Sequence, residues 1–427
     1  MADFHQPRFV PTVHAVAPDH PAPDRVAALA RARGLSVSLV LPALARELDG
    51  AAFPRIIRLL ARNPLLGRVI VVLGHATADQ HRRADALLSC LDMPVTLVRL
   101  DDVRLPRIGR QLEKVDLDVR PTGKGYACWV GVSVALAGSG SDVIAMHDCD
   151  IVNYRPAMLT RLVAPLVVPD EPFDFAKGYY ARVTSRMYGR VTRLLVTPLI
   201  RALQQVDITS TLPAFIGDFR YPLAGEVAFS RALAHTLPLH GGWGLEIGML
   251  AEIHSRQRTF KPCQVDIADT YDHRHRPIDA VADGGGLTTM TDDILVTLVR
   301  ALRRQHATVD TRVMRYVLAH YRTEVSRCID AYAADAAVNG LVYDRALESA
   351  TATAFAAAVE RCIGQGLCAD VATHPSWADV RRLAPCVCDA FAELAIASEL
   401  VGRGGSPADA GPSSWSASGF DGAVAGS

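Results

Sequence analysis

The chain has 427 residues, and 50% of them are hydrophobic, which is enough to bury a large core in two regions. Lysine and arginine number 45, and aspartate and glutamate also number 45. This balance excludes a global attraction to nucleic acid or to an anionic membrane, so any recognition of anions must be local.

The first third of the chain alternates predicted strands with predicted helices. Runs rich in β-branched residues and leucine recur about every thirty residues, and segments of helical length separate them. This spacing is typical of successive βαβ units, so we predict an α/β fold with a parallel sheet. The predicted strands are 36–41, 68–73, 95–100 and Val143–Met146, and the intervening helices include 53–62 and 78–90.

A lysine between two glycines, Gly123-Lys124-Gly125, opens a predicted helix that runs to Ala137. The glycines let the backbone pass close to a ligand, and the ammonium group can reach a phosphate or a sugar hydroxyl. The segment is not a Walker loop, because the first glycine and the Ser/Thr after the lysine are missing. A plain turn before a helix is the alternative.

The predicted strand Val143–Met146 ends in the acidic sequence His147-Asp148-Cys149-Asp150. Carboxylates at the carboxyl end of a strand lie where open α/β sheets bind their ligands. On an extended chain Asp148 and Asp150 point the same way and Cys149 points the opposite way. One metal ion and its ligand could then contact both carboxylates. Asp-x-Asp pairs are common as solvated turns, so this motif needs support from other residues.

Beyond the acidic motif the pattern becomes irregular. A predicted strand at 173–179 and a predicted helix at 191–203 precede a stretch rich in proline and glycine, and such segments often build the acceptor side of a site. From 292 to about 400 the chain is rich in alanine and arginine at helical spacing, which predicts a helical region that forms an oligomer contact or a lid. From 403 onward we predict disorder.

Two segments of the irregular stretch are suited to an acceptor. Gly189-Arg190-Val191-Thr192 opens a predicted helix, so its free amides, the arginine and the threonine hydroxyl can form an anion site. A helix cap with a surface arginine is the alternative. Glu226 and Glu246 each lie between small and apolar residues, where a carboxylate can orient a hydroxyl or stabilise positive charge on a sugar ring.

A basic cluster, His273-Arg274-His275-Arg276, follows a predicted strand at 263–267. A neutral imidazole from His273 can complete a metal shell begun by Asp150. Arg276 can neutralise the charge that grows on a departing diphosphate. An exposed basic loop is the alternative.

In this order the motifs resemble those of the glucosyl-3-phosphoglycerate synthase family over about residues 36–280. The resemblance implies a GT-A glycosyltransferase fold with a Rossmann-like, mostly parallel sheet. It also implies transfer of glucose, with retention, from UDP-glucose to the 2-hydroxyl of 3-phosphoglycerate, and dependence on Mg²⁺ or on Mn²⁺ or Co²⁺. The motifs are Pro42-Ala43-Leu44 with Glu47, Gly123-Lys124-Gly125, Asp148-Cys149-Asp150, Gly189-Arg190-Val191-Thr192, Leu223-Ala224-Gly225-Glu226, Gly244-Leu245-Glu246-Ile247-Gly248 and His273-Arg274-His275-Arg276-Pro277.

The same resemblance implies a role for each site residue. Metal binding falls to Asp150 and His273, and catalytic work falls to Glu246, Asp148 and Arg276. The implied donor contacts are Pro42, Ala43, Leu44, Glu47, Gly74, Lys124, Asp148, Cys149, Glu226 and Arg276, and the implied acceptor contacts are Gly189, Arg190, Thr192, Trp243 and His275.

We therefore expect five regions along the chain. They are an N-terminal extension (1–34), a nucleotide-sugar-binding half (35–150), an acceptor-binding half (151–290), a helical C-terminal region (291–402) and a disordered tail (403–427).

Neither a membrane span nor a signal peptide is expected. No apolar run reaches roughly eighteen residues, and the N-terminus has no apolar signal core, so we predict a cytoplasmic protein. The nine cysteines are scattered, which favours free buried thiols over zinc sites or disulfides. The expected partners are the nucleotide-sugar donor, a 3-phosphoglycerate-like acceptor and a second copy of the chain in a homodimer.

Three other functions fit the same motifs. The nearest is a mannosyl-3-phosphoglycerate or mannosylglycerate synthase that uses GDP-mannose. The second is a non-catalytic sugar-nucleotide sensor, and the third is a hydrolase that uses Asp148, Asp150 and His273 with a metal. Nucleotide release with and without 3-phosphoglycerate, measured with UDP-glucose and with GDP-mannose, distinguishes them.

Overall fold

The computed structural model describes residues 4–17, 21–74, 76–121, 123–138, 140–206, 208–272, 285–368 and 371–400. Within them an eight-stranded sheet has the order β1-β9-β6-β7-β5-β2-β3-β4. The strands are β1 (Thr12–Val13), β2 (Val37–Leu44), β3 (Leu66–Gly74), β4 (Val95–Arg99), β5 (Val143–Met146), β6 (Phe175–Ala181), β7 (Val227–Ser230) and β9 (Pro262–Thr270). A small separate pair consists of β8 (Leu239–His240) and β10 (Thr373–His374).

The sheet is mostly parallel, as the spacing predicts. Strands β5, β2, β3 and β4 run parallel to one another, and β6, β9 and β1 are also mutually parallel. Strand β7 lies between these groups and is antiparallel to both β5 and β6. The central strands are apolar on both faces because helices cover both faces.

Two helical layers enclose the sheet. One face carries α1 (Pro23–Ala32), α2 (Ala52–Leu60), α3 (Ala78–Leu88) and α6 (Pro156–Val167). The other carries α4 (Arg104–Glu113), α5 (Gly123–Ala137), α7 (Thr197–Gln204), α8 (Leu212–Gly217), α9 (Arg231–Thr236) and α10 (Leu245–Arg256).

The helical C-terminal region packs onto the second layer and shares its core. It contains α11 (Gly285–Arg304), α12 (Thr311–Val338), α13 (Arg345–Gly364), α14 (Trp377–Leu383) and α15 (Pro385–Ala397). Helix α5 is apolar on all sides because it lies between the sheet and α15. The last described residues run beside β4, where Leu400 N–H donates to Val95 O (2.9 Å).

The N-terminal residues contribute to the sheet. Strand β1 pairs with β9 at its edge, with Thr12 opposite Gln264, and α1 packs against α6. Thr12 N–H donates to the Gln6 side chain (2.6 Å), and that side chain donates to Thr12 O (2.9 Å). These bonds satisfy polar groups that an edge strand exposes.

Several sequence predictions differ in detail from the structure. The predicted helix at 191–203 begins as a π-helical turn, Val191–Val196, and becomes α-helical at Thr197. The stretch around Pro213 was predicted to be irregular, but it forms α8, with the proline in the first turn where its missing N–H costs no helical bond. The predicted strand at 173–179 lies at Phe175–Ala181. The predicted tail at 403–427 lies outside the described residues.

All nine cysteines are free, and five of them are buried. In the part of the chain that the structure describes, no helix combines the length and the apolar character that a membrane crossing requires.

The close contact between α5 and the sheet gives a stability test. A Cβ on Gly131 would lie 2.5 Å from Val40 Cγ1 and 3.1 Å from Val72 Cγ2, whereas a Cβ on Gly109 in α4 would contact nothing within 4 Å. Gly131→Ala should therefore lower the free energy of unfolding by about 1–3 kcal/mol through overpacking. Gly109→Ala should raise it by up to about 1 kcal/mol through helix propensity. Urea denaturation of both variants measures the difference, and equal effects would contradict the packing.

Candidate active site

The site lies where β5 ends. Because β7 is antiparallel to β5, with Met146 opposite Val227, the residues before β7 lie beside the residues after β5. A Cβ on Gly225 would lie 2.7 Å from both carboxylate oxygens of Asp148. The position therefore requires glycine, since any side chain there would displace the carboxylate.

Lys124 joins two carboxylates from distant parts of the chain. Its Nζ lies 2.6 Å from Asp148 Oδ1 and 3.2 Å from Glu246 Oε1. Burial alone would lower the pKa of Lys124, but the Asp148 and Glu246 carboxylates raise it well above its usual value. Lys124 is therefore charged near neutral pH and fixes Asp148 and Glu246 on either side of one ammonium group.

Lys124 and Glu246 each lie in the first turn of a helix. Gly123 opens α5 with φ +78°, a conformation that glycine adopts readily. A Cβ on Gly125 would overlap the carbonyl oxygen of His240, so the first turn of α5 packs directly on the β8 backbone. Glu246 lies in the first turn of α10, where the helix dipole favours a carboxylate.

Asp150 lies in an electronegative setting. Burial, together with the neighbouring Asp148 and Glu47 carboxylates, raises its pKa to about 7 against the opposing effect of Lys124. Carboxylate oxygens are ligands that Mg²⁺ prefers, and a cation would stabilise the charged form of Asp150, so the donor set fits a divalent metal. Among the described residues, no three His, Cys, Asp or Glu side chains are arranged to hold a metal ion.

The other predicted metal ligand, His273, lies outside the described residues, as do His275 and Arg276. Asp272 is the last described residue before this gap, and its carbonyl oxygen accepts a hydrogen bond from Val152 N–H (2.7 Å). Asp272 N–H in turn donates to the Asn153 side chain (2.9 Å). The segment that leads to residue 273 is therefore fastened beside the segment that follows Asp150.

Four of the predicted donor contacts lie at or just after the end of β2, at the same edge. Pro42, Ala43 and Leu44 end the strand, and a 3₁₀ turn at Ala45–Asp49 then carries Glu47. Leu44 pairs with Gly74 at the end of β3. The Cys149 thiol donates to Pro42 O (3.1 Å), so it faces β2 and links the acidic motif to this loop.

Glu226 forms the back of the site with two tyrosines that the sequence did not indicate. It is fully buried, and it accepts hydrogen bonds from Tyr180 OH (2.7 Å) and Tyr271 OH (2.6 Å). The two rings stack with centroids 3.7 Å apart. Burial and Asp148 raise the pKa of Glu226, whereas the two phenol hydrogen bonds lower it. Its predicted donor contact stays a prediction, because both oxygens already accept phenol hydrogen bonds.

Lys177 is a second buried cation below the site. It is 1% exposed, and its Nζ donates to Ala224 O (2.6 Å), immediately before the glycine that packs on Asp148. Burial lowers the pKa of Lys177 to about 8, although the Glu246 and Glu226 carboxylates oppose the shift. The sequence analysis did not predict Lys177 as a site residue. Its position inside the apolar strand Phe175–Ala181 is the sequence signal that indicates a buried lysine.

On the predicted acceptor side, Gly189 has φ +73°, and Arg190 forms an ion pair with Glu348 of α13 (2.6 Å). The Thr192 hydroxyl is buried without a hydrogen-bond partner in the described part of the chain. Trp243 is 45% exposed, and its backbone N–H donates to the Asp293 carboxylate of α11 (3.0 Å). Both partners come from the helical C-terminal region, and the sequence did not predict either of them.

The structure thus brings most of the predicted residues to one edge of the sheet. One cavity is lined by residues of β2, α5, β6, α10, the acidic motif and the turn before β7, among them Pro42, Lys124, Asp148, Lys177, Gly225 and Glu246.

This site, at the carboxyl ends of a mostly parallel sheet with an acidic pair after β5, is that of a GT-A glycosyltransferase. A crystal structure of the Mycobacterium tuberculosis glucosyl-3-phosphoglycerate synthase with Mg²⁺ and UDP matches with a TM-score of 0.51 at 28% identity, over 69% of this chain and 87% of that one. The synthase of Persephonella marina is 37% identical over 323 residues, which is 76% of this chain and 80% of that protein. No family model matches the chain. The chain belongs to the glucosyl-3-phosphoglycerate synthase family.

A further relative bears on the helical C-terminal region. The glucosyl-3-phosphoglycerate synthase of Methanococcoides burtonii is 33% identical over 371 residues, which cover 84% of this chain and 88% of that protein. A match of that length cannot fit within residues 1–290, so it includes part of the helical C-terminal region.

Lys177→Met should change how stability depends on pH. The folded pKa of Lys177 is about 8, below its ordinary value of 10.5, so the unfolded chain binds one more proton between these values. Wild-type stability therefore rises with pH in this window, and the variant lacks that rise. Relative to the variant, the wild type should gain roughly 2–3 kcal/mol between about pH 7 and pH 10. Urea denaturation across this range measures the gain.

The matched control is Lys114→Met, because Lys114 is exposed after α4. Its stability should keep a constant offset from the wild type across the same pH range. A constant offset for Lys177→Met as well would contradict the burial of a charged lysine below the site.

Proposed function

We propose that the protein transfers glucose, with retention, from UDP-glucose to the 2-hydroxyl of 3-phosphoglycerate. Membership of the family supports this activity. The M. tuberculosis enzyme has been solved with Mn²⁺, UDP-glucose and phosphoglyceric acid, and with Mn²⁺, UDP and glucosyl-3-phosphoglycerate. The observation in this chain that carries the proposal is the ammonium group of Lys124 between Asp148 and Glu246, beside Asp150.

Asp150 and His273 would hold Mg²⁺ or Mn²⁺. When bound, the ion supplies charge neutralisation for the diphosphate leaving group. Pro42, Ala43, Leu44, Glu47 and Gly74, at the adjoining strand ends, would hold the nucleotide.

The chain's own residues orient the two substrates. Asp148, fixed by Lys124, would contact donor hydroxyls, and Glu246 would lie near the anomeric carbon. Glu246, whose Oε1 lies 3.2 Å from Lys124 Nζ, would position the reactants rather than attack the sugar. The acceptor hydroxyl then approaches from the face that UDP leaves. The bond from the anomeric carbon to the phosphate oxygen breaks, the bond to the acceptor oxygen forms, and the leaving phosphate oxygen takes the hydroxyl proton.

The acceptor would bind at Gly189, Arg190 and Thr192, with Trp243 and His275 as further predicted contacts. A buried hydroxyl and an arginine are suited to a phosphate or a carboxylate. Arg276 would stabilise the charge that develops on the departing diphosphate.

We also propose a cytoplasmic homodimer. Nine free cysteines suit a reducing compartment. Tyr316 and Val338, exposed on the long helix α12, offer apolar surface for a second copy. Sedimentation should give twice the 46.0 kDa of one chain, and the monomer mass would contradict the dimer.

Nucleotide release tests the activity against its alternatives. UDP-glucose should release UDP only when 3-phosphoglycerate is present, and GDP-mannose should release little nucleotide. Release from GDP-mannose would indicate a mannosyl transferase, and release without acceptor would indicate a hydrolase. Binding of UDP-glucose without release under either condition would indicate a sensor.

Asp150→Asn should lower metal-dependent turnover by on the order of 100-fold or more, because one charged metal ligand is lost. The fold should remain intact, since a carboxylate at a strand end contributes little to stability. UDP release at limiting Mg²⁺ and thermal unfolding measure the two effects.

Asp92→Asn is the control, because Asp92 forms an exposed ion pair with Arg62 away from the site. Its turnover should equal that of the wild type. Normal turnover of Asp150→Asn at limiting Mg²⁺ would contradict the metal assignment.

A further inference from the structure

One carboxylate of the helical C-terminal region binds two arginines at the acceptor segment, Gly189–Thr192. The first arginine lies within the segment and the second follows it directly. Glu348 lies in the first turn of α13, and its side chain is 3% exposed. Its Oε1 accepts from Arg190 Nε (2.6 Å), and its Oε2 accepts from Arg193 Nη1 (2.7 Å). Because Arg190 precedes Thr192 and Arg193 follows it, this single side chain holds the chain on both sides of Thr192.

The charges of this cluster do not cancel. Arg190 and Arg193 carry two positive charges, and Glu348 carries one negative charge, so one positive charge is left in a mostly buried setting. Buried charge is costly unless it is paired, and Glu348 removes most of that cost while leaving an attraction for an anion. Among the described residues, Arg190 makes no hydrogen bond through Nη1 or Nη2. These two nitrogens can therefore form a bidentate pair with a phosphate or a carboxylate.

Other polar atoms around Gly189 also lack partners. The Thr192 hydroxyl is buried in a residue that is 5% exposed, and it makes no hydrogen bond within the described ranges. The same holds for Arg182 Nε, while Arg182 Nη1 lies 3.1 Å from Tyr221 OH. Buried polar atoms are normally paired, so these two donors, together with Arg190 Nη1 and Nη2, are consistent with a polar or anionic ligand near Gly189.

This cluster is coupled to the reaction centre by direct contacts. A Cβ on Gly189 would lie 3.1 Å from Tyr221 OH. The Tyr221 ring lies 5.0 Å from that of Tyr180, which donates to Glu226 at the back of the site. The acceptor segment is therefore one aromatic pair away from the buried carboxylate beside Asp148.

The connection between α12 and α13 fastens the same segment from outside. From this connection, Val342 N–H donates to Ser185 O (2.9 Å), just before the acceptor segment. Within the acceptor side itself, Arg193 Nε donates to Tyr188 O (2.9 Å). The Arg193 guanidinium also lies 4.8 Å from the centre of the Tyr332 ring of α12. The helical C-terminal region is thus built into the acceptor side of the site.

We propose that Glu348 is a positioning residue for the acceptor and that the helical C-terminal region is required for recognition of its anionic group. The inference rests on the proposed function, since Arg190 is taken to bind 3-phosphoglycerate. Glu348 holds the Arg190 guanidinium through Nε, so Nη1 and Nη2 are oriented before the acceptor arrives. Such preorganisation lowers the cost of binding.

Glu348→Gln in the full chain tests the proposal. An amide oxygen can accept from one arginine, but the amide hydrogens then oppose the other. The KM for 3-phosphoglycerate should rise about ten-fold, equivalent to about 1.4 kcal/mol. The KM for UDP-glucose and kcat should each stay within about two-fold, because Glu348 lies on the acceptor side. Steady-state UDP release with each substrate varied in turn measures the three constants.

Three further variants make the test specific. Glu360→Gln changes an exposed glutamate of the same helix that pairs with Arg322, and all constants should match the wild type. Glu348→Asp keeps the charge, so its KM for 3-phosphoglycerate should rise less than that of Glu348→Gln. Arg190→Ala should give the largest rise. If Glu348→Gln does not fold in thermal unfolding, Glu348→Asp carries the test with an expected rise of a few-fold.

Two patterns would overturn the inference. An unchanged KM for 3-phosphoglycerate in both Glu348 variants would show that the residue does not position the acceptor. Equal rises in both KM values, or a fall in kcat alone, would show a general structural role. A wild type that forms no glucosyl-3-phosphoglycerate contradicts the proposed function and this inference together, whereas an active wild type with unaffected Glu348 variants contradicts the inference alone.

Discussion

The ion pairs of Lys124 with Asp148 and Glu246 are the interaction on which the rest of the site depends. The two carboxylates come from elements almost a hundred residues apart in the chain, and one ammonium group sets the distance between them. Asp148 already raises the pKa of Asp150, and the charge of Lys124 opposes that shift. Lys124 therefore offsets part of the repulsion among the acidic groups gathered at this edge of the sheet.

The antiparallel strand β7 places the back of this site. In an all-parallel sheet the residues before β7 would lie at the opposite edge, far from Asp148. Reversal brings Gly225 against the Asp148 carboxylate and Glu226 between two tyrosines. Lys177, buried below them, supports the backbone at Ala224 at a cost in stability that the fold tolerates because the site requires this shape.

The order of the motifs along the chain predicted the parallel half of the sheet, the position of the acidic motif after β5 and the helix that carries Lys124. Local sequence patterns suffice for these features, because βαβ spacing and the end of a strand can be recognised from short stretches of sequence. They could not predict that Glu348 would reach Arg190 or that Asp293 would hold the loop before Glu246. Those contacts join residues far apart in the chain, and helical periodicity indicates a buried face without naming its partner. The π-helical start at Val191 was equally hidden, because it depends on how the segment packs.

We propose that Asp150 receives the metal that binds the donor diphosphate, and that Asp148, held by Lys124, contacts the donor hydroxyls. The most direct measurement is a crystal structure of the full chain with Mn²⁺ and UDP, with anomalous scattering used to locate the metal. With Asp150 as a metal ligand, we expect an anomalous peak within coordination distance of an Asp150 carboxylate oxygen and of the UDP diphosphate, with the uracil near Pro42 and Glu47. A peak bound elsewhere, or UDP bound away from the edge formed by β2 and β5, would contradict it.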